Sequence, residues 1–578
     1  MSNKHESEKL FAKYVVNGNH AESDYFPLIK EFVRLREDSG DAYWQTEIDR
    51  AYELVLDEIC NNRSKPTEPI KFGTSGWRGQ LGKDVFAGSV ACVTEAIVDM
   101  YEATQEAKDL LPYLGVDSFA DAKERGCVVG HDNRFAGGLL ATVVAKVLSE
   151  AGFKVYFAGE STTGVLSAVV LEKRCAFSVN LTPSHNPLEY GGYKFNAADG
   201  GPAAAEITET ITQLAREKMS AEYVFDATDI DKIDPLIFTA VEKIDSLAEW
   251  KNLVQKNRAV HGLDLKKIME SFAARPDVVV AIDSVHGASR LHMRELLPSE
   301  AGDRVITLRD KPDVTFGGIA PEPSSVNMQN VSAVLAARNE PLKLGAIIDP
   351  DGDRIRFTDG SNEISMNQFG AMAYHYLYVH KKKRGQVAKT VATSNMANRL
   401  AEAFGEDVFE PRVGFKEFKP VIGKALVFFE ESDGISIIGH TPEKDAYIGL
   451  LLALDMVLST GKKIGEYQHD IEEEYGAYYP DRDGIEVAVK GDALQKKLNA
   501  LDQYTAGSYL KIGNEEKKIV NVITIDGRKM ILEDGSWLMI RPSGTEPKVR
   551  FYVESRTQDG TADLVTTARQ LLQQVGVL

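Results

Sequence analysis

Apolar residues recur along this chain with two periods, and the switch between them marks the elements. Trp44, Ile48, Ala51, Tyr52, Val55 and Ile59 are spaced by three and four, which predicts a helix with one buried face. Ser64, Lys65, Pro66 and Thr67 break that pattern, so residues 1–67 read as a helical N-terminal extension that packs on the next domain or on another copy of the chain. From Ile70 onward, short apolar runs alternate with amphipathic stretches. Cys127–Gly130 and Lys154–Ala158 read as strands around a helix over 141–151. A second cycle runs through Asp277–Asp283, a helix over 290–297 and Gly345–Asp349. A third runs through Ala388–Thr393, a helix over 396–404 and Ala425–Phe429. Strand–helix–strand repetition predicts parallel or mixed sheets covered by helices, with ligands bound at the loops beyond the strand carboxyl ends. After residue 473 the pattern becomes a strand meander (519–525, 530–532, 537–540, 549–554) closed by one helix. The expected division is three similar α/β domains, 68–222, 223–358 and 359–472, then an α+β domain, 473–578.

A length of 578 residues fits that division at about 150 residues per domain. The net charge of −19 argues against sequence-independent nucleic-acid binding, which needs many cationic phosphate contacts. The longest apolar runs fall short of a membrane span, and the polar start lacks a signal-peptide core. Cys60, Cys92, Cys127 and Cys175 form no CxxC pair and read as reduced thiols of a cytoplasmic protein.

Four loops carry chemistry. Thr182-Pro183-Ser184-His185-Asn186-Pro187 braces a serine between prolines, as a nucleophile or phosphate carrier requires. Asp349-Pro350-Asp351-Gly352-Asp353 follows an apolar strand. Carboxylates at i, i+2 and i+4 on extended backbone share one side and make a hard oxygen set for Mg²⁺. An EF-hand is excluded, because its glycine and glutamate positions hold Arg354 and Gly360. Glu430-Glu431-Ser432-Asp433-Gly434 offers a carboxylate and a hydroxyl for sugar hydroxyls. Arg541-Pro542-Ser543-Gly544-Thr545-Glu546-Pro547-Lys548-Val549-Arg550 combines hydroxyls, a glycine and arginines into a phosphate nest. P-loop, dinucleotide and HExxH signatures are absent from the sequence.

In this order, the four loops resemble the α-D-phosphohexomutase superfamily. The match extends to Phe72-Gly73-Thr74-Ser75-Gly76-Trp77-Arg78-Gly79, Asp313-Val314-Thr315-Phe316-Gly317-Gly318, Pro321-Glu322-Pro323, Thr393-Ser394-Asn395-Met396 and Val413-Gly414-Phe415-Lys416. The resemblance covers Lys71 to about Glu554 and implies domains arranged around a central cleft. It further implies phosphoryl transfer between C1 and C6 of a hexose. Ser184 would carry the phosphate, with Mg²⁺ held by Ser184, Asp349, Asp351 and Asp353. His185, Lys194, Arg78 and Arg354 would surround the transferring group. Lys416, Glu430 and Ser432 would meet the sugar, and Arg541, Ser543, Gly544, Thr545 and Arg550 would clamp the other phosphate. The intermediate implied is glucose 1,6-bisphosphate, and the partners are hexose phosphates. The Glu-x-Ser pattern resembles the glucose-handling branch, in which Asp433 replaces a glycine or aromatic residue; the mannose and pentose branches are alternatives. A hinge is expected near 465–480, between Gly465 and Gly476. Outside the family, a non-catalytic sugar-phosphate-binding protein and an aspartate-nucleophile phosphatase using Asp349 are the competing readings.

Overall fold

The computed structural model describes residues 3–73, 76–220, 223–487, 491–542 and 548–578. Helices Asn3–Tyr14, Tyr25–Ser39 and Tyr43–Asn61 open the chain, and the six apolar residues expected to share a face on the third are all buried. Four sheets follow in order. In the first, Phe177–Leu181, Cys127–His131, Val155–Glu160 and Val241–Lys243 run parallel, while Tyr190–Ala197 and Gly76–Gln80 add antiparallel strands on the other side. This sheet draws on the chain as far as Lys243, past the residue 222 at which the sequence was divided. The second sheet centres on Val278–Asp283 and Leu342–Ile348, parallel neighbours, with Ile355–Thr358 turning back antiparallel. The third centres on Val387–Lys389 and Val427–Glu430, again parallel, with Gly434–Ile437 antiparallel. The fourth is an antiparallel meander, Tyr509–Ile512 to Lys548–Ser555, covered by helix Gln558–Gln574. Three α/β units and a C-terminal α+β unit are therefore present, with sheets that are mixed at their edges.

One hydrophobic core joins the second and third sheets, through helices Met366–Val379 and Ala446–Thr460. A Cβ on Gly449 would lie 2.9 Å from Ile355 and 3.1 Å from Ile435, so this glycine lets the second helix lie against both sheets. Helix Ile464–Tyr475, in the connection where a hinge was expected, buries Ile464, Tyr467 and Ile471. A Cβ on Gly465 would meet Asp359 Oδ2 at 2.5 Å, which makes that glycine a packing position rather than a free pivot.

The stretch read as a strand over 388–393 leaves the sheet after Lys389. Val391 and Ala392 are apolar because they pack on Trp537, Met539 and Tyr552 of the fourth sheet. Polar bonds lock the same junction. Glu554 Oε1 accepts from Trp537 Nε1 at 2.8 Å and from Asn395 N at 2.9 Å. Lys529 Nζ donates to Val391 O at 2.8 Å and lies 4.0 Å from the Trp537 ring centre. Burial, with Lys389 beside it, pulls the Lys529 ammonium down to about 8.

Glu554→Ala leaves two buried donors without an acceptor, at roughly 1–3 kcal/mol each. The urea midpoint followed by tryptophan emission should fall accordingly, and Glu554→Gln, which keeps an acceptor, should recover most of the loss. Equal midpoints for Glu554→Ala and the wild type would show that this junction does not hold the fourth sheet.

Candidate active site

The serine turn begins where a strand ends and the chain cannot extend it. Strand Phe177–Leu181 delivers Thr182, and Pro183 removes the next backbone donor. Ser184 then adopts φ 58°, a left-handed conformation that costs a non-glycine residue energy. Its backbone N donates to Thr182 Oγ1 at 2.9 Å, and that hydroxyl donates to Asp132 Oδ2 at 2.6 Å. Arg134 lies behind the turn, donating to Ser184 O and Pro187 O, both at 2.7 Å, and also to Asn186 O. Arg78 Nη1 reaches Asn186 Oδ1 at 2.8 Å. Burial first, then Arg354 and Arg78, hold the His185 imidazole well below its ordinary value, and its Nδ1 lies 3.4 Å from Ser184 Oγ.

The acidic turn faces it. The sequence suggested extended backbone here, but Gly352 N donates to Asp349 O at 3.0 Å with Gly352 at φ 64°, so the segment is a tight turn. The turn gathers oxygens of Asp349, Asp351 and Asp353 within 4.8 Å of one another, all three side chains buried. Ser184 Oγ donates to Asp349 Oδ2 at 2.9 Å, which joins the first α/β unit to the second. Lys194 Nζ donates to Asp351 Oδ2 at 2.5 Å and to Asp353 Oδ2 at 2.6 Å. Burial opposes the Lys194 charge, but Asp351 and Asp353 outweigh it and raise its affinity for the proton. Burial and the two neighbouring carboxylates push Asp349 well above the usual carboxylate range. Asp351 Oδ1 and Asp353 Oδ1 are buried with no hydrogen-bond partner. Hard carboxylate oxygens, two of them orphaned, in a cluster that costs energy to charge, fit a bound divalent cation.

The Glu430-to-Gly434 loop, expected to meet the sugar, is deeply set. Glu430 is buried against Lys444 Nζ at 3.1 Å. Burial works against its charge, but Lys444 and Arg354 hold its carboxyl below the usual value. Glu431 accepts from Thr390 Oγ1 at 2.8 Å, and Ser432 is half-buried. Asp433 has φ 70°, which accounts for a glycine preference at that position, and its carboxylate pairs with Arg356 Nη2 at 2.7 Å. That buried pairing gives Asp433 a structural role and directs it away from sugar. Lys416 lies on a groove of about 450 Å³ with Lys71, Thr208, Thr212 and Arg216. An adjoining pocket holds Lys194, Asp353, Phe415, Glu443 and Lys444, and Phe72 and Gly73 line both.

Of the clamp, Ser543, Gly544 and Thr545 lie outside the described residues. Arg541 and Arg550 are cross-strand partners, and Arg541 Nε donates to Asp526 Oδ1 at 3.2 Å. Asp526 Oδ2 accepts from Val413 N at 2.9 Å, tying this end of the fourth sheet to the Val413–Lys416 segment.

Sequence reasoning missed Arg134, Glu443 and Lys444. Arg134 binds backbone carbonyls some fifty positions away, and its only local signal is Asp132-x-Arg134 after a strand. Glu443 and Lys444 precede an apolar helix, where charged residues are ordinary. In the fold Lys444 reaches both Glu430 and Asp353, the latter at 3.6 Å, and burial raises the Glu443 carboxyl to about 7.

Four family profiles, described as phosphoglucomutase/phosphomannomutase alpha/beta/alpha domains I, II and III and C-terminal domain, match residues 69–222, 260–362, 365–475 and 486–570. A probable phosphoglucosamine mutase of Methanosphaera stadtmanae is 26% identical over 88% of this chain and 99% of its own. Phosphoglucomutase 1 of Drosophila melanogaster is 26% identical over 85% of this chain and 91% of its own. The crystal structure of a putative phosphomannomutase from Thermus thermophilus superposes with TM-score 0.68 at 27% identity, covering 88% of this chain and 99% of that one. No helix among the described residues is long and apolar enough to cross a membrane. With all four domain profiles matched in order, the chain belongs to the phosphoglucomutase/phosphomannomutase family of the α-D-phosphohexomutase superfamily, enzymes that move a phosphoryl group within a sugar phosphate.

Proposed function

We propose that this phosphohexomutase interconverts α-D-glucose 1-phosphate and glucose 6-phosphate in the cytoplasm, through a phosphorylated Ser184 and a glucose 1,6-bisphosphate intermediate. The observation that carries this reading is the 2.9 Å hydrogen bond from Ser184 Oγ to Asp349 Oδ2, which sets a buried serine against three clustered carboxylates. The preference for glucose rests on the Glu430-x-Ser432 pattern and on the Thr182–Pro187, Gly191–Lys194 and Gly200–Ala203 segments, since relatives at similar identity are named for glucosamine, glucose and mannose phosphates.

In the forward step the phosphoseryl O–P bond breaks as a sugar oxygen bonds to phosphorus, and the proton lost by the sugar hydroxyl ends on Ser184 Oγ. His185 Nδ1, 3.4 Å from that oxygen, is placed to carry it. Lys194, Arg78 and Arg354 surround the group with positive charge, which is most of what phosphoryl transfer asks of a protein. Asp349, Asp351 and Asp353, with Ser184, would hold Mg²⁺, which supplies further neutralisation of the transferring phosphoryl. Glu430, Ser432 and Lys416 would hold the ring. Arg541, Ser543, Gly544, Thr545 and Arg550 would hold the phosphate that is not reacting, accepting either end after the bisphosphate has turned over.

A phosphatase with Asp349 as nucleophile is disfavoured, because a buried serine hydroxyl already stands against that carboxylate, between it and any phosphate. Oδ2 accepts from Ser184, and Oδ1 accepts from the backbone N of Asp353 and of Arg354, each at 3.0 Å.

Active protein should carry one phosphate on Ser184, seen by intact mass and peptide mapping, and Ser184→Ala should lose most turnover. Full activity in that variant rejects the covalent route. Chelation should abolish activity and Mg²⁺ restore it, with Asp351→Asn slower on the order of 100-fold; a normal rate and Mg²⁺ response in Asp351→Asn would contradict the metal assignment. A coupled assay with the 1-phosphates of glucose, mannose, glucosamine and ribose should give the highest kcat/KM for glucose. A clear preference for another sugar would retain the mutase and displace the substrate.

A further inference from the structure

Residues 3–61 lie outside every matched family profile, yet they touch the back of the serine turn and the second α/β unit together. Helix Tyr25–Ser39 places Arg36 in its last turn. Arg36 Nη1 is oriented by Gln45 Oε1 at 2.5 Å, while Nη2 donates to Asp313 Oδ2 at 3.2 Å and to Thr315 Oγ1 at 3.0 Å. One turn earlier, Val33 fills the space that a side chain at Gly318 would need, since a Cβ there would sit 2.9 Å from Val33 Cγ1. The 313–318 segment belongs to the second unit, between strand Val305–Leu308 and helix Ser325–Ala336. It returns two contacts to the first unit: Asn133 Nδ2 donates to Asp313 O at 3.2 Å, and the buried Phe316 ring lies 4.9 Å from the Arg134 guanidinium. Arg134 is the side chain that holds the carbonyls of Ser184, Asn186 and Pro187. Two further contacts reach residues flanking the parts of this arrangement, Phe135 beside Arg134 and Glu189 just past Pro187. Tyr52 stacks on Phe135 at 4.3 Å, and Lys30 Nζ pairs with Glu189 at 2.7 Å.

We propose that the N-terminal helices brace the seam between the first two α/β units, and that Arg36 is a positioning residue that sets Ser184 against the acidic turn. The inference rests on Ser184 as the phosphate carrier. Phosphoryl transfer between loops of two different units is sensitive to their separation, because a displacement near 1 Å far from the chemistry can cost up to about 100-fold in rate. A helical cover that merely hid apolar surface would not need a guanidinium oriented by one helix and directed onto the loop of another unit.

The test uses the full-length enzyme. Arg36→Met removes both bonds to 313–315, while Asp313 keeps Thr315 N, at 2.8 Å, and Gly317 N, at 3.1 Å, as donors. Arg36→Met should lower kcat roughly 10-fold with KM for glucose 1-phosphate unchanged, the signature of lost transition-state alignment. Arg36→Lys should recover much of that rate, and the unfolding midpoint should stay near the wild type. Lys30→Met, at a half-exposed position, should move kcat in the same direction, and it carries the test should Arg36→Met fold poorly. A wild-type kcat in both variants overturns the brace. So does a loss that Arg36→Lys fails to rescue and that follows the unfolding midpoint, since that is a structural role only. Peptide mapping of the wild type separates the two readings. Phosphate on Ser184 with indifferent variants removes the brace alone, and an unphosphorylated Ser184 in active enzyme removes both.

Discussion

Three carboxylates buried within 4.8 Å of one another cannot all be charged without cations, and most of the site follows from that constraint. The acidic turn belongs to the second α/β unit, and its own Arg354 is one answer. The others come from elsewhere. Lys194 arrives on a strand of the first sheet, and Lys444 on the turn after the third. Each lysine needs the carboxylates as much as they need it, because a buried ammonium is costly alone. The three α/β units are therefore drawn together by charge as well as by the apolar core that the second and third share. The two carboxylate oxygens left without a hydrogen bond, on Asp351 and Asp353, mark what the protein's own cations leave unsatisfied.

The serine turn is held by the same kind of mutual dependence. Ser184 keeps an unfavourable φ because Thr182, Asp132 and Arg134 over-determine it. Strain of this kind persists only where the surroundings are rigid. Here they include a loop of the second unit and the N-terminal helices, so what fixes the serine also fixes the distance to the acidic turn. The fourth sheet is tied to the third unit through Glu554, Lys529 and Asp526, whose partners Asn395, Val391 and Val413 lie in loops of that unit.

Much of this was legible in the chain. Periodicity located the helix carrying Trp44 to Ile59, which buries one regular face, and short apolar runs located the central parallel strands, which are buried on both faces. Residues bound by contacts distant in sequence were harder to read. Val391 looked like strand because it is apolar, but its apolar partner is Trp537 in another unit. The aspartates were found by spacing and the wrong backbone was assigned, since Gly352 folds what alternation alone would extend. Asp433 stood out in place of a glycine or aromatic residue, and its partner Arg356, seventy-seven positions away, could not be read from the chain. Arg134 and Lys444 carry no local pattern, as their partners are carbonyls and carboxylates brought near only by the fold.

The central claim is that the phosphate on Ser184 passes to the sugar and that the sugar's other phosphate then returns to Ser184. The most direct measurement is a single turnover of enzyme labelled with radioactive phosphate on Ser184, mixed with unlabelled glucose 1-phosphate and quenched over time. The label should appear first in the hexose bisphosphate and then in glucose 6-phosphate, leaving the enzyme with unlabelled phosphate and releasing little inorganic phosphate. Label that stays on the enzyme while product forms, or that leaves mainly as inorganic phosphate, would contradict the account.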